Sequence, residues 1–481
     1  MRRRWVALAT GAALVLGACT SPTSETADRP TDQLTDLPDP ADPAYDAALS
    51  EPVEDSVYPE VGDPGVDALH YDLDLTWDPD SRVLTGDEEL VLRATEDDDF
   101  FQLDLAGELE VSAVTVDGRE VDHEHRGKDL VVQAPVAADQ RYTVRIRYAG
   151  EPGPVEAPTT RGDFAGLGWT VGDDGSVWTM QEPWGAYTWY AVNDQPADEA
   201  LYDFTLRVAD PMVGVANGEL VSRESVEGTT VTEWSLTEPA ASYVITVAFD
   251  DYVMTEQRAA SGVPVSIWLP REGAARWSWL QQSTVDALDW AEQLLGAYPF
   301  DTLGFVFVDA QSGMETQTMV TLGLTEFTTS PPVQVHEVVH HWWGNQVTPE
   351  DWRDLWISEG MTTYLQKVWE SEHGGPSLAR SMAQIRTDAA AMREEAGPPG
   401  AYDQDAFAER NVYYLPALMW HQVRRRLGDE LFFRLVREFP AAHDNENLGT
   451  EELVAWWERK SGEDLAGLVR RHLYAEQQPA R

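Results

Sequence analysis

Residues 331–344 read Pro331-Pro332-Val333-Gln334-Val335-His336-Glu337-Val338-Val339-His340-His341-Trp342-Trp343-Gly344, and Asp354-Leu355-Trp356-Ile357-Ser358-Glu359-Gly360 follows soon after. Prolines suit the first turn of a helix and glycine its end, so the first stretch predicts a short apolar helix carrying both histidines. Four residues advance a helix by about 400°, which puts His336 and His340 on one face, ~6 Å apart along the axis. Two imidazoles so placed can bind one zinc ion. Glu337 is offset by about 100° and can reach water at the metal without ligating it. Glu359 opens a second helical pattern nineteen residues after His340. Packed back against the first helix, it completes a His336, His340, Glu359 set. Three ligands leave zinc an open fourth position, the mark of a catalytic rather than a structural site. One zinc per chain is therefore expected. His341 points about 100° away from His340 and reads as a support behind the ligands or as packing.

Outward from this centre the pattern changes. Before it, residues 70–77, 88–93, 111–116, 130–132, 142–148, 202–208, 230–236 and 243–249 show strand character, and Val116-Asp117-Gly118 is a hairpin signal. Helical spacing begins near 279 and, after a short buried strand at 304–308, dominates to the end. The expected boundaries are an all-β domain over 65–255 and a mainly helical domain over 256–481.

The chain has 481 residues, 84 acidic and 34 basic, for a net charge of −50. That charge argues against nucleic acid as a partner, because phosphates need a basic surface. It fits either a coding bias with a soluble extracellular surface or adaptation to high salt. The single cysteine, Cys19, excludes an intramolecular disulfide and cysteine-ligated zinc. It ends an apolar run that follows Arg2, Arg3 and Arg4, too short to span a bilayer. Residues 1–19 are thus expected to be a signal peptide. Residues 20–64 hold twelve acids and eight prolines and are expected to be a disordered tether.

Several of these stretches resemble known patterns. Leu16-Gly17-Ala18-Cys19 is similar to the bacterial lipobox, which implies lipidation of Cys19, an extracytoplasmic lipoprotein, and membrane contact through the anchor only. The run 336–348 with 352–360 resembles the aminopeptidase N family of zinc peptidases, the gluzincins, to which leukotriene hydrolase also belongs. Tyr202-Asp203-Phe204-Thr205, Val215-Ala216-Asn217-Gly218 and Ala297-Tyr298-Pro299-Phe300-Asp301 add framework matches in the right order. The resemblance implies an N-terminal all-β saddle or sandwich domain followed by a thermolysin-like catalytic domain. The family's C-terminal β and helical domains are expected to be absent after the last helical patterns, and a more open cleft is expected with them.

The resemblance also implies roles. Ser312-Gly313-Met314-Glu315-Thr316 is similar to the family's Gly-x-Met-Glu-Asn loop, which makes Glu315 a ligand of the substrate's α-ammonium, with Gly313 and Met314 beside the peptide. Ser312 and Thr316 depart from that pattern. Met180-Gln181-Glu182-Pro183 implies Glu182 as a second ammonium ligand and Gln181 as a substrate contact. Tyr413-Tyr414-Leu415-Pro416 aligns with the family's Tyr-x-Lys-Gly, which implies Tyr413 as the phenol that stabilises the tetrahedral intermediate, with Tyr414 as the alternative. The implied activity is a zinc aminopeptidase cleaving the N-terminal bond of peptides, its zinc-bound water activated by Glu337. An endopeptidase of altered specificity and a non-catalytic binding protein on the same scaffold are the alternatives.

Overall fold

The computed structural model describes residues 37–164, 166–477 and 479. The first strand, Val66–Asp78, alternates as a one-faced strand should: Tyr71, Leu73, Leu75 and Trp77 are buried while the polar residues between them face outward or lie half-buried. It pairs antiparallel with Val83–Ala94 and parallel with Glu199–Ala209, at the middle of an eight-stranded sheet. The hairpin signal is realised between Leu109–Val116 and Arg119–Glu120, where Asp117 and Gly118 take φ of 50° and 73°. A four-stranded sheet of Val213–Ala216, Val247–Asp250, Val177–Met180 and Gly168–Val171 and a three-stranded sheet complete the β half. Trp77, Trp169 and Trp189 lie fully buried in the core of this half.

The next strand, Tyr252–Arg258, belongs to a different sheet. It pairs with Pro264–Pro270, which runs parallel to Leu303–Val308, and that strand runs parallel to Met319–Gly323. Leu303–Val308 is buried at every position, as a strand covered on both faces must be. Gly313–Met314 forms the antiparallel edge of this sheet. Among the described residues, eight α-helices accompany it: α1 (Leu280–Leu295), α2 (Pro331–His340), α3 (Trp356–Glu372), α4 (Leu378–Ala396), α5 (Arg410–Leu427), α6 (Asp429–Ala442), α7 (Thr450–Ser461) and α8 (Ala466–Tyr474).

One expectation is corrected. Of the tether expected over 20–64, the part from 37 onward lies on the folded body. Asp55 accepts hydrogen bonds from the backbone N–H of Val57, Tyr58 and Trp352 at 2.7–2.8 Å. Ser56 bonds Asp351, Tyr58 donates to the Gln404 carbonyl at 2.8 Å, and the Tyr58 ring packs edge-on against Trp184 at 4.5 Å. Further on, Asp104 and Asn193 accept from the N–H groups of Gly62 and Asp63. Low overall apolarity suggested disorder, but one buried tyrosine and several satisfied N–H groups tie the segment to both halves. Residues 20–36 lie outside the described residues.

Candidate active site

Pro331 and Pro332 begin α2, where their missing N–H groups leave no helix bond unmade. At its other end the backbone turns sharply, and Gly344 takes φ +140°. A Cβ there would sit 3.0 Å from His340 Nδ1, so glycine permits both the turn and the close approach. Glu359 lies in the first turn of α3 and is buried. Across from it, Gly360 faces Pro416 of α5 so closely that a Cβ would lie 2.4 Å from Pro416 Cβ. This close packing of α3 on α5 brings Tyr413 over the three candidate ligands. The Tyr413 ring lies 6.2 Å from that of His336, at 28°.

The three expected ligands converge. His336 Nε2 and His340 Nε2 are 3.1 Å apart, and Glu359 Oε2 lies 3.2 and 3.4 Å from them. Ligand atoms about 2.0–2.1 Å from a tetrahedral zinc are about 3.3–3.4 Å apart, so the spacing fits the metal. His340 Nδ1 faces the Trp343 carbonyl at 3.1 Å. Only a protonated Nδ1 satisfies that carbonyl, which leaves Nε2 with its lone pair free to ligate. Glu359 Oε2 is buried with no hydrogen-bond donor among the described residues, as expected of a metal-ligating oxygen.

Charge makes the same point. Glu182, Glu315, Glu337 and Glu359 are all buried around the two imidazoles. Ligand oxygens of Glu182, Glu315 and Glu359 lie within 4.8 Å of one another. Burial, followed by repulsion from Glu315, raises Glu182 well above the carboxylate range and Glu337 to about 8. Burial raises Glu315 as well. Burial opposes the charge of His340, yet Glu315 and Glu359 press it up to about 10. Burial likewise opposes ionised Glu359, but the two imidazoles hold it well below the usual range. So many buried acids around so few cationic groups leave a deficit of positive charge, which a divalent ion and an ammonium group would fill.

The remaining site residues separate into two groups. Glu182, Gly313, Glu315, Glu337, Tyr413 and Tyr414 line one cleft of about 520 Å³ with His336 and Glu359. Asn345 donates to the Glu315 carbonyl at 2.8 Å and holds that loop in place. Thr316 turns its hydroxyl onto Met319 O and Thr321, so its departure from the family pattern is taken up inside the scaffold. Gln181 and Met314 are corrections. The Gln181 amide is fully buried, donating to Ser242 O and accepting from the Trp189 indole, each at 2.9 Å. Met314 points into the core shared with Val306 and Met319. Strand alternation turns it away from the face that Gly313 and Glu315 present. His341 packs as expected: burial holds it neutral at about 3, and its Nδ1 bonds the Tyr298 hydroxyl at 2.8 Å. Cys19 lies outside the described residues.

The sequence reading missed Arg161 and Asp163, which line the same cleft. They sit in a loop of the β half, and Arg161 Nη1 donates to the Tyr413 hydroxyl at 3.1 Å. A long connection without regular structure, bearing a paired Arg and Asp, was the available signal. Gln366 and Glu370 were also missed, although their spacing from Glu359 puts them on the same helical face.

Known proteins resemble this chain in sequence and in fold. The Peptidase M1 N-terminal domain matches residues 67–244 and the Peptidase family M1 domain matches residues 279–472. Aminopeptidase N of Haemophilus influenzae is 25% identical over 296 residues, covering 56% of this chain and 33% of its own length. The chain spans between 27% and 47% of the length of the first curated relatives it matches. The structure of an M1 zinc metallopeptidase from Deinococcus radiodurans superposes with a TM-score of 0.79 at 23% identity, covering 89% of this chain and 98% of the other. A point mutant of that metallopeptidase bound to a Tyr-Ser-Ala substrate superposes with a TM-score of 0.78.

Proposed function

The chain belongs to peptidase family M1, and from that premise we propose that it is a zinc-dependent aminopeptidase that removes the first residue of peptides. The observation that carries the reading is the pair Glu182 and Glu315, buried beside the His336, His340, Glu359 set in one cleft. Two acids that no metal ligation requires, next to two imidazoles and a carboxylate that fit a metal, suit a substrate whose free ammonium lies one residue from the bond to be cut. The Deinococcus relative bound to Tyr-Ser-Ala is a case of such a substrate on this fold.

His336, His340 and Glu359 would hold one zinc ion, which supplies Lewis acidity toward a carbonyl and toward water. Glu315 and Glu182 anchor the N-terminus and so set the register of the first peptide bond. Glu337 takes a proton from the attacking water and returns it to the leaving amine. Tyr413 donates its hydroxyl hydrogen to the oxygen on which negative charge develops, worth about 3 kcal/mol when preorganised.

The test is a two-by-two comparison of wild type and Glu315→Ala on free and N-acetylated aminoacyl amides. A charge-assisted contact of about 1.5–3 kcal/mol predicts a ten- to hundredfold loss in kcat/KM on the free amine and little change on the blocked one. Equal slowing of both substrates makes Glu315 structural. A wild type that prefers the acetylated substrate overturns the aminopeptidase assignment in favour of an endopeptidase.

We propose further that a lipid on Cys19 holds the enzyme at the outer face of a bacterial cell membrane. Leu16-Gly17-Ala18-Cys19 after its apolar run supports this. Cys19→Ala should move the protein out of the membrane fraction or block processing, and unchanged fractionation and processing overturn the anchor.

A further inference from the structure

The β half sends residues 151–164 across to the helical half, and Arg161 among them touches the residue assigned above to the oxyanion. We propose that Arg161 is the positioning residue of the Tyr413 hydroxyl. Arg161 is held in turn by Asp163 and, through Asp163, by Ser312 of the ammonium-binding loop. The inference rests on the peptidase reading and deepens it.

Four of the five guanidinium N–H groups have partners among the described residues. Nη1 donates to the Tyr413 hydroxyl at 3.1 Å and to the Ala408 carbonyl at 3.0 Å. Nε and Nη2 form a two-point contact with Asp163 at 3.1 and 2.6 Å. The Phe164 ring lies under the plane, 4.4 Å from the guanidinium carbon. A planar fork held at this many points has one orientation.

The direction of the bond to Tyr413 follows from chemistry. Arginine has no acceptor, so the phenol oxygen accepts and its single hydrogen is left for another partner. The ring is fixed on its other side by its stacking with His336, beside the metal ligands. The hydrogen is thus available where the reacting oxygen would lie, and a cation stands behind the phenol oxygen as charge develops in front of it.

The outer link explains a departure from the family pattern. Ser312 stands where that pattern has glycine, and its hydroxyl donates to Asp163 Oδ2 at 3.2 Å. Glycine could not make this bond. Ser312, Asp163, Arg161 and Tyr413 therefore form one hydrogen-bonded chain from the loop that binds the N-terminus to the group that meets the oxyanion. With only one N–H left over, Arg161 is poorly equipped to bind a substrate carboxylate itself.

The test is a double-mutant cycle of Arg161→Gln and Tyr413→Phe. Kinetics are measured on an aminoacyl amide and on a dipeptide with a free carboxylate, with zinc content and melting temperature determined for each variant. Arg161→Gln should lower kcat about tenfold on both substrates while KM stays within about twofold. In the Tyr413→Phe background the same change should alter kcat less than about twofold, because the group it positions is gone. Ser312→Gly should move kcat in the same direction by about two- to threefold. Equal losses in both backgrounds overturn the proposal. So does a KM rise confined to the free-carboxylate substrate, which would make Arg161 a substrate ligand. If Arg161→Gln does not fold, Asp163→Asn and Ser312→Gly are run through the same cycle, and additivity there overturns it equally. Wild type that holds zinc but cleaves neither substrate sinks the peptidase reading itself, a result distinct from all of these.

Discussion

At the scale of single residues, His340 and Glu337 stand three positions apart on one helix but should fail in different ways. His340 Nε2 lies 3.1 and 3.4 Å from the other two ligand atoms, so His340→Ala removes one corner of the metal site. Zinc content and activity should fall together. Glu337 is not among these three atoms. Glu337→Gln should keep zinc at wild-type stoichiometry while kcat falls by about 10²–10⁴, the usual contribution of a positioned base. Metal analysis beside a single-turnover assay checks both, and metal loss in the Glu337 variant would contradict its assignment as the base. Both histidines and Glu337 were legible in the sequence because i, i+1 and i+4 on a helix is a local relation. Glu359 was legible because it opens the next helical pattern. Gln181 was misjudged because a motif reports neighbours along the chain. Which side of the strand end an amide faces depends on Ser242 and Trp189.

At the scale of elements, the site depends on how closely α3 and α5 approach. Gly360 and Pro416 meet there, one turn or less from Glu359 and Tyr413 respectively. Pro416 lacks an N–H and leaves the Val412 carbonyl without its helical partner, yet its ring fills the space that Gly360 leaves open. Gly360→Ala places a methyl against that ring. Overpacking of this kind costs about 1–3 kcal/mol, and relief would require α5 to shift, carrying Tyr413 with it. The expected outcome is a lower melting temperature together with a kcat loss at nearly unchanged KM. A variant that loses stability with full kcat would show that the two helices can separate without moving the phenol. The helices were expected from their period, but their contact was not: periodicity along one helix does not say which residue of another helix comes to lie against it.

At the scale of the molecule, the acidity is partly internal. Burial raises Glu199 to about 7 and Asp194 and Asp354 to about 6. For each, the folded value lies above the unfolded one, so the native state binds more protons between the two. Stability is therefore fully favoured below the unfolded values and is lost as pH rises through about 6 to 7. Their contribution to the melting temperature should fall from mildly acidic to mildly alkaline conditions, against the opposite trend of buried His341, which stabilises the fold as pH rises. Glu199→Gln removes one ionisation, raised from 4.5 to about 7 and worth roughly 3 kcal/mol over that interval. It should flatten the profile, measured in high salt so that surface repulsion is screened. A profile unchanged by Glu199→Gln would refute this account.

By itself the sequence determined what is local: the strand alternation of the β half, the helical period of the rest, and a helix that carries two histidines and a glutamate at metal-binding spacing. It also determined that the ammonium-binding candidates exist, because Glu315 and Glu182 sit in recognisable short stretches. Only the tertiary structure decided that Arg161 meets Tyr413 across 252 residues of chain. It alone decided that residues 37–64, polar and proline-rich as they are, dock on the body through Asp55 and Tyr58. The physical reason is the same in both cases. Periodicity and turn chemistry are written in neighbouring residues, whereas a long-range hydrogen bond exists only once folding has brought its partners together and excluded water from between them.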